Sequence, residues 1–200
     1  MPDTGAPHFI PFADPTDLVR DWPALSEDVA EQVALGLDEA GNAGIGSNVV
    51  HAVKTNVFTT ASDSFVDITG FSVTITPSSA TSKVLVIATF RGDRIQASNS
   101  GSARTRVVRS GAASPLGDAD GSRSTSTGSL GGWIDPGGRG LGSDTIVWLD
   151  SPETTSAVTY TGQLARSRAG SAALNRSASD SDGSQVTRGV SEITVIEVAP

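Results

Sequence analysis

The residues of this sequence that could perform acid–base or nucleophilic chemistry are few. The chain has two histidines, His8 and His51, and no cysteine, so disulfides, thiolate metal ligands and a cysteine nucleophile are excluded. A serine nucleophile needs a base beside it. His8 lies in a proline-rich segment and His51 in a strand-like run, where a packed or surface role is the ordinary interpretation. Neither histidine therefore predicts a nucleophilic site.

Two acidic turns are the candidates for a metal site. Asp118 and Asp120 precede one glycine, and Asp180 and Asp182 precede another. Alternate carboxylates on a tight turn can chelate Ca²⁺, but both turns lack the third oxygen ligand and the distal Glu of an EF-hand loop. Asp and Gly are also the residues that β-turns require, so turn formation is the favoured interpretation unless the two turns meet in space. We expect no metal and no cofactor.

Four carboxylates are candidates for polysaccharide cleavage by residue type alone: Asp144, Asp150, Glu153 and Glu192. Glycoside hydrolysis needs two acids about 5 to 10 Å apart in a cleft. The spacing of these residues singles out no pair. We therefore expect a protein that is not an enzyme, and a polysaccharide-degrading enzyme is the alternative from another functional class.

Two residues of a glycine-rich segment are candidates for ligand binding. Trp133 and Arg139 lie within residues 128–142, which carry seven glycines. An indole on such a loop can stack on a sugar ring or anchor a partner, or it can fold back to cap the domain. Long loops inside compact domains are usually functional or mobile. The polar segments 110–143 and 167–189 are therefore predicted to present a binding surface.

The elements that must position these residues are strands. From residue 48 to 198, short β-type runs alternate with Gly, Ser, Asp and Pro turns. Alternation in Phe71–Ile75 predicts a half-buried strand, separated from the preceding one by a break at Thr69-Gly70. The continuous apolar run Lys83–Phe90 predicts a central strand buried on both faces. About eight strands are expected, which predicts an all-β, antiparallel β-sandwich or jelly-roll head.

The first 43 residues differ from the rest. Five prolines between residues 2 and 23 favour an extended arm, and Ser26 is the N-cap of a predicted helix over Ser26–Ala40 that Gly41 ends. The large apolar residues of this segment must pack on a partner, on a sister chain or on the chain's own domain. We predict an attachment segment over 1–43 and a β-sandwich head over 44–200. The predicted docking residues are Phe9, Ile10, Phe12, Leu18, Trp22, Leu25, Val29 and Val33.

Charge and hydropathy exclude several partner classes. The net charge is −8 and Lys54 and Lys83 are the only lysines, which argues against nucleic acid, because phosphate binding needs clustered cations. No apolar run approaches the ~20 residues that a membrane-spanning helix needs. The first residues lack the basic and apolar regions of a signal peptide. We expect a soluble product that is made in a cytoplasm.

Four strand and turn motifs lie along the head, each occurring once. They are TGFSV at Thr69–Val73, TPSSATSKVLV at Thr76–Val86, DSPETTS at Asp150–Ser156 with Tyr160, and SEITVIE at Ser191–Glu197. Together, over residues 46–198, they resemble a β-rich module common in bacteriophage tail fibres and other virion appendages. The earlier segment PFADPTDLVRDWPALSEDVA, at Pro11–Ala30, resembles the N-termini of small structural proteins from actinobacterial phages.

The resemblance implies a virion structural protein that is made in the host cytoplasm and is often a homotrimer. We expect a tail-fibre or spike-like appendage whose head projects outward and takes part in host attachment. Its partners would be sister chains, other virion proteins bound through the arm, and a host cell-surface glycan. The alternative within the same class is a capsid decoration or head-fibre protein that is anchored by its arm.

Overall fold

The computed structural model describes residues 45–96, 101–110, 112–130 and 138–200. All of them lie in one compact unit, Gly44–Pro200. Within the described residues there is no helix that is long and apolar enough to cross a membrane. The arm and the helix predicted over residues 1–43 lie outside the described residues. The described strands are β1 (Ile45–Lys54), β2 (Phe58–Thr60), β3 (Val66–Ile75), β4 (Lys83–Gln96), β5 (Ala103–Arg109), β6 (Ala112–Ala113), β7 (Gly128–Leu130), β8 (Gly142–Asp150), β9 (Val158–Arg166), β10 (Gly170–Leu174) and β11 (Ser191–Val198).

The strands form two antiparallel sheets that pack together as a β-sandwich. Sheet A has the order β1-β11-β4-β10-β2, and sheet B has the order β3-β9-β5-β6, with β7 also paired to β5. The long strand β4 pairs with β11 along its first half and with β10 along its second half, while β8 pairs with its other edge. The all-β antiparallel prediction is therefore confirmed, whereas the jelly-roll alternative stays a prediction.

The core lies between the sheets because alternate residues of each strand turn inward. In β3, Phe71 and the apolar residues at every second position after it are buried, while the residues between them are exposed. The rings of Phe71 and Phe90 meet edge to face, with their centroids 5.1 Å apart. A Cβ atom at Gly162 of β9 would lie 2.3 Å from the Phe71 ring. The absence of a side chain at Gly162 is therefore what allows these two rings to fill the centre.

Several predicted strand boundaries are wrong. The Thr69-Gly70 pair does not separate two strands, because β3 continues through it with a register shift and Gly70 at φ 74°. The predicted loop over 167–189 contains β10. The segment 110–143, predicted as a long loop with room for one short strand, contains the two short strands β6 and β7. These short strands consist mainly of Gly, Ser and Ala, so they lack the alternation of large apolar residues that marks the longer ones.

The prediction that β4 is buried on both faces is only half right. The inward-facing Val84, Val86, Ala88 and Phe90 are fully buried. The outward-facing Leu85 and its neighbours at every second position are only partly buried. The reason is that β4 lies in the centre of sheet A but no second layer covers the outer face of that sheet within the described part of the chain.

A buried polar cluster joins β1, β3, β10 and β11. Asn175, which follows β10 at φ 61°, donates through Nδ2 to the carbonyl oxygens of Lys54 (2.7 Å) and Asn56 (3.1 Å). Its Oδ1 accepts a 2.7 Å bond from Ser191. The Lys54 ammonium donates to the Asn56 side chain at 2.7 Å and to the Thr69 carbonyl at 2.8 Å, and burial lowers the pKa of Lys54. These bonds fix the short strand β10 against three longer ones.

Candidate binding surface

Most of the docking and loop residues predicted from the sequence lie outside the described residues. This holds for Trp133 and for the docking residues Phe9, Ile10, Phe12, Leu18, Trp22, Leu25, Val29 and Val33. Arg139 is described, and it lies exposed in the segment that leads into β8. The predicted binding role of the loop residues therefore stays a prediction.

The two acidic turns hold their carboxylates against arginines. The Asp120 carboxylate contacts the Arg123 guanidinium on an exposed turn. The Asp180 carboxylate accepts a 2.9 Å bond from Arg176 and lies 2.6 Å from a guanidinium nitrogen of Arg188. Among the residues that the structure describes, no three or more His, Cys, Asp and Glu side chains gather in a group able to hold a metal ion. Asp118 and Asp182 are exposed and belong to no such group.

The four candidate acids occupy unrelated surroundings. Asp144 accepts a hydrogen bond from the Thr105 hydroxyl. Glu153 lies on an exposed turn at φ 54°. Glu192 is exposed with one carboxylate oxygen 4.0 Å from His51 Nε2. The fourth acid, Asp150, is buried in a cluster of its own.

The buried Asp150 ties the two sheets together. Its carboxylate, at the end of β8 in sheet A, accepts a 2.8 Å bond from the Tyr160 hydroxyl of sheet B. Arg109 of β5 approaches the same carboxylate with two nitrogens, the Nη2 contact being 3.2 Å. The hydrogen bond that Arg109 donates to Asp150 raises the pKa of Arg109, and burial together with the bond that Tyr160 donates to Asp150 raises the pKa of Tyr160. Arg109 therefore stays protonated and Tyr160 stays neutral through the physiological range.

A second buried carboxylate, Glu197 of β11, fixes the turn between β3 and β4. Glu197 Oε1 accepts bonds from the Ser78 backbone nitrogen (2.7 Å) and hydroxyl (2.6 Å), and Oε2 accepts from Asn48 Nδ2 at 3.2 Å. Burial by itself raises the pKa of Glu197, but the bonds from Ser78 and Asn48 outweigh it and lower the pKa to about 2. Glu197 is therefore an ionised structural group.

An open groove of about 620 Å³ lies on the outer face of sheet B. Its floor is formed by outward-facing side chains of β9 and their neighbours on β3 and β5, and its wall by the turn between β8 and β9. Hydroxyl, amide, carboxylate, guanidinium and aliphatic groups line it. The residues that line the groove include Asp67, Val108, Pro152, Thr154, Thr159, Thr161 and Gln163.

A hydrogen-bonded chain crosses three strands at one end of the groove. Arg106 Nε donates to Gln163 Oε1 at 2.6 Å, and Gln163 Nε2 donates to Asp67 Oδ1 at 2.6 Å. The Arg106 guanidinium lies 4.3 Å from the centroid of the Phe65 ring, and that of Arg104 lies 5.0 Å from it. Desolvation lowers the pKa of Arg106. These two hydrogen bonds fix the orientation of the Gln163 amide. The donor and acceptor sites that the amide still has free therefore point in a defined direction.

The wall of the groove is held in place by the buried cluster behind it. Arg109 donates to the Ser151 carbonyl at 3.1 Å as well as to Asp150, which anchors the start of the turn. Within the turn, the Ser156 backbone nitrogen donates to Thr154 Oγ1 at 3.0 Å. Pro152 and Thr154 then face the floor residues across the groove. The shape of the groove is therefore coupled to the stability of the contact between the sheets.

The sequence interpretation did not identify these groove residues. Asp67, Arg106 and Gln163 are distant in sequence and meet only because β3, β9 and β5 are neighbours in register. The one available signal was local: Thr159, Thr161 and Gln163 alternate with Tyr160, Gly162 and Leu164, which predicts a polar outer face for β9. No protein-family model matches the chain, and no curated protein matches its sequence.

Proposed function

We propose that the chain is a non-enzymatic structural protein of a bacteriophage virion, a tail-fibre or spike-like appendage, whose head binds a host cell-surface glycan in the groove of sheet B. The observation that carries the proposal is the chemistry of that groove. Its Thr hydroxyls both donate and accept, its Gln163 amide is oriented, and Asp67 accepts. Sugar hydroxyls also donate and accept, so this lining is complementary to a polysaccharide strand.

The residues of the resemblance motifs support a scaffold role. Ser78 and Glu197 come from two different motifs and are hydrogen-bonded to each other. Asp150 and Tyr160 belong to a third and are likewise bonded. The motifs thus consist largely of residues that fix turns and join sheets, while most of the groove floor lies outside them. A shared scaffold with its own binding surface is consistent with an appendage protein.

The states of the buried carboxylates support a non-enzymatic role. A glycosidase needs a protonated acid beside a second carboxylate. Glu197, with a pKa of about 2, stays ionised and is enclosed by Ser78 and Asn48. Asp150 is held by Arg109 and Tyr160. Both carboxylates therefore act as structural groups, because their hydrogen bonds go to residues of the fold.

Groove filling tests the binding proposal. The full chain is labelled and sedimented with insoluble cell-wall polysaccharide prepared from a panel of actinobacteria. Thr161→Trp places a large side chain on the groove floor, and Ser184→Trp places the same side chain on an exposed loop as the matched control. We expect the first variant to lose at least about tenfold in affinity and the second to keep it. Equal binding by both variants, or no binding by the native chain, would overturn the glycan assignment.

The position of the chain on a particle tests the structural role. Gold-labelled antibodies raised against the full chain should mark the tail fibres or tail tip of the phage that carries it. Label spread over the shell would replace the appendage proposal with the capsid decoration alternative. Absence of label from intact and from detergent-opened particles would contradict a virion role altogether.

A further inference from the structure

The outer face of sheet A carries an apolar patch that runs across four strands. Its first row is Val49, Ile196, Leu85 and Leu149, which are partners in register on β1, β11, β4 and β8. In the next row, Ile87 and Val147 are partners on β4 and β8. We call these six residues the apolar face. They belong to the outward-facing set, so they contribute nothing to the core between the sheets.

The apolar face is unusually open to solvent. Val147 is 66% exposed, Val49 52% and Leu149 51%. Single exposed apolar residues are ordinary, but contiguous ones across four strands mark an interaction surface. The polar residues expected on the solvent side of an antiparallel sheet are missing from the first row. The face is therefore suited to contact with another apolar surface.

Opposite charges lie at the two ends of the apolar face. Lys83 is exposed at one end, where it pairs with Val198, and Glu192 is exposed at the other end, where it pairs with Thr89. The two ends are about 20 Å apart, six residues along β11 at about 3.4 Å each. A two-fold axis that lies in the contact plane and runs across the strands exchanges these ends. It brings Lys83 of one copy over Thr89 of the other, one strand spacing of about 4.8 Å from Glu192, which is within reach of the two long side chains. It lays the row with Leu149 against the row with Val147, which continues as Thr194 on β11 and His51 on β1.

We propose that the apolar face of sheet A docks face to face onto the same face of a second copy of this chain, with Lys83 and Glu192 paired at both ends. The self-complementary order of charges selects a second copy over an unrelated partner, because a two-fold contact forms each ion pair twice. The inference goes beyond the proposed function. It concerns the opposite sheet from the groove, and it holds whether or not a glycan binds there.

The size of the face sets the expected strength of the contact. Measured between the charged ends, three inter-strand spacings of about 4.8 Å and a length of about 20 Å give roughly 300 Å² of sheet, of which the six apolar residues form the middle part. A standard interface buries about 800 Å² on each partner. The contact is therefore smaller than a standard interface and we expect weak self-association, so measurements must extend from about 10 µM to about 1 mM.

Charge reversal tests the pairing in the full chain by sedimentation equilibrium. We expect Lys83→Glu and Glu192→Lys to weaken self-association at least about tenfold each, and the double variant to return to within about threefold of the native value. Arg123→Glu is the matched control: it makes the same change in charge at a side chain that is 73% exposed elsewhere, and it should have no effect. Failure of the double variant to recover, or an equal loss in Arg123→Glu, would overturn the pairing.

Replacing an apolar residue of the face with a charged one tests the apolar contact independently of the Lys83 and Glu192 pairs. Leu149→Asp should leave a single-chain mass at all concentrations, whereas Ser72→Asp adds the same charge to the exposed outer face of sheet B and should leave association unchanged. Unchanged far-ultraviolet circular dichroism shows that each variant is folded. A single-chain mass for the native protein at about 1 mM would overturn the inference. The face would then be covered by another segment of the same chain or by a different protein.

Discussion

The outer faces of the two sheets differ, although their inner faces are alike. Both inner faces are largely apolar, with Val, Ile, Phe, Leu and Ala side chains and Tyr160 meeting in one core. Outside, β9 of sheet B presents Thr159, Thr161 and Gln163, whereas β8 of sheet A presents Val147 and Leu149. The core therefore requires only one face of each sheet, and the other face is free to be selected for contact with another molecule.

The difference also concerns how each face is held. The polar groups of sheet B are fixed to one another, as in the chain from Arg106 through Gln163 to Asp67. The apolar face of sheet A holds its shape through the pleat of the sheet alone. A ligand groove needs oriented donors and acceptors, whereas an apolar contact needs only a regular surface. Three substitutions test this comparison.

The largest effect is expected where both faces depend on the same contact. Asp150→Asn removes the charge that Arg109 and Tyr160 share, and it leaves the Arg109 guanidinium partly buried without its counter-charge. We expect the free energy of unfolding to fall by about 4 kcal/mol, measured by urea denaturation. Asp120→Asn, in an exposed pair with Arg123, is the control and should change it by less than about 0.5 kcal/mol. Equal losses would mean that the sheets are not joined by Asp150.

An intermediate and pH-dependent effect is expected at Glu197. Its pKa is about 2 in the folded chain, against an ordinary value of 4.5. Because folding lowers this pKa, the stabilisation is complete above pH 4.5 and is lost as the pH falls towards 2. We expect Glu197→Gln to lower the free energy of unfolding by about 3 kcal/mol at pH 7. Between pH 4.5 and 2 the native chain loses this stabilisation, so the free energy of unfolding of the variant should fall less than that of the native chain over the same range.

The matched control for this position lies on the same strand. Glu192→Gln changes an exposed carboxylate of β11 and should leave the pH profile of stability close to the native one. Urea unfolding at pH 7, 4 and 2.5 gives the comparison. A native profile that stays parallel to that of Glu197→Gln would contradict the role assigned to the Ser78 and Asn48 bonds.

The smallest effect is expected on the apolar face itself. Val147→Thr replaces a methyl group with a hydroxyl at a side chain that is already mostly exposed. In dilute solution we expect the free energy of unfolding to change by less than about 0.5 kcal/mol. The same replacement at the fully buried Val86, on the neighbouring strand, should cost about 1 to 3 kcal/mol. Similar costs at the two positions would show that the face is covered within the monomer.

The sequence predicts the scaffold better than either surface. Alternation in Phe71–Ile75 and in β11 locates long strands and their inward residues, because burial of one face imposes a period of two. The same rule does not work for β8: Ile146 and Trp148 face inward and Val147 and Leu149 outward, so both positions of the period are apolar. The groove escapes prediction because its residues are brought together by strand pairing over long sequence separations. Trp133 and Arg139 are predicted from the composition of their loop, which carries no information about spatial neighbours.

The position of β11 in the middle of sheet A determines how the protein must fold. It lies between β1 and β4, and its partners in those strands are more than a hundred residues away along the chain. Loop closure over such separations is entropically costly, and contacts of this kind characterise slow-folding β proteins. Until β11 arrives, β1 and β4 each present an unpaired edge. A chain whose own β11 has not yet docked can accept the β11 of another molecule at those edges, so this topology favours strand exchange at high concentration.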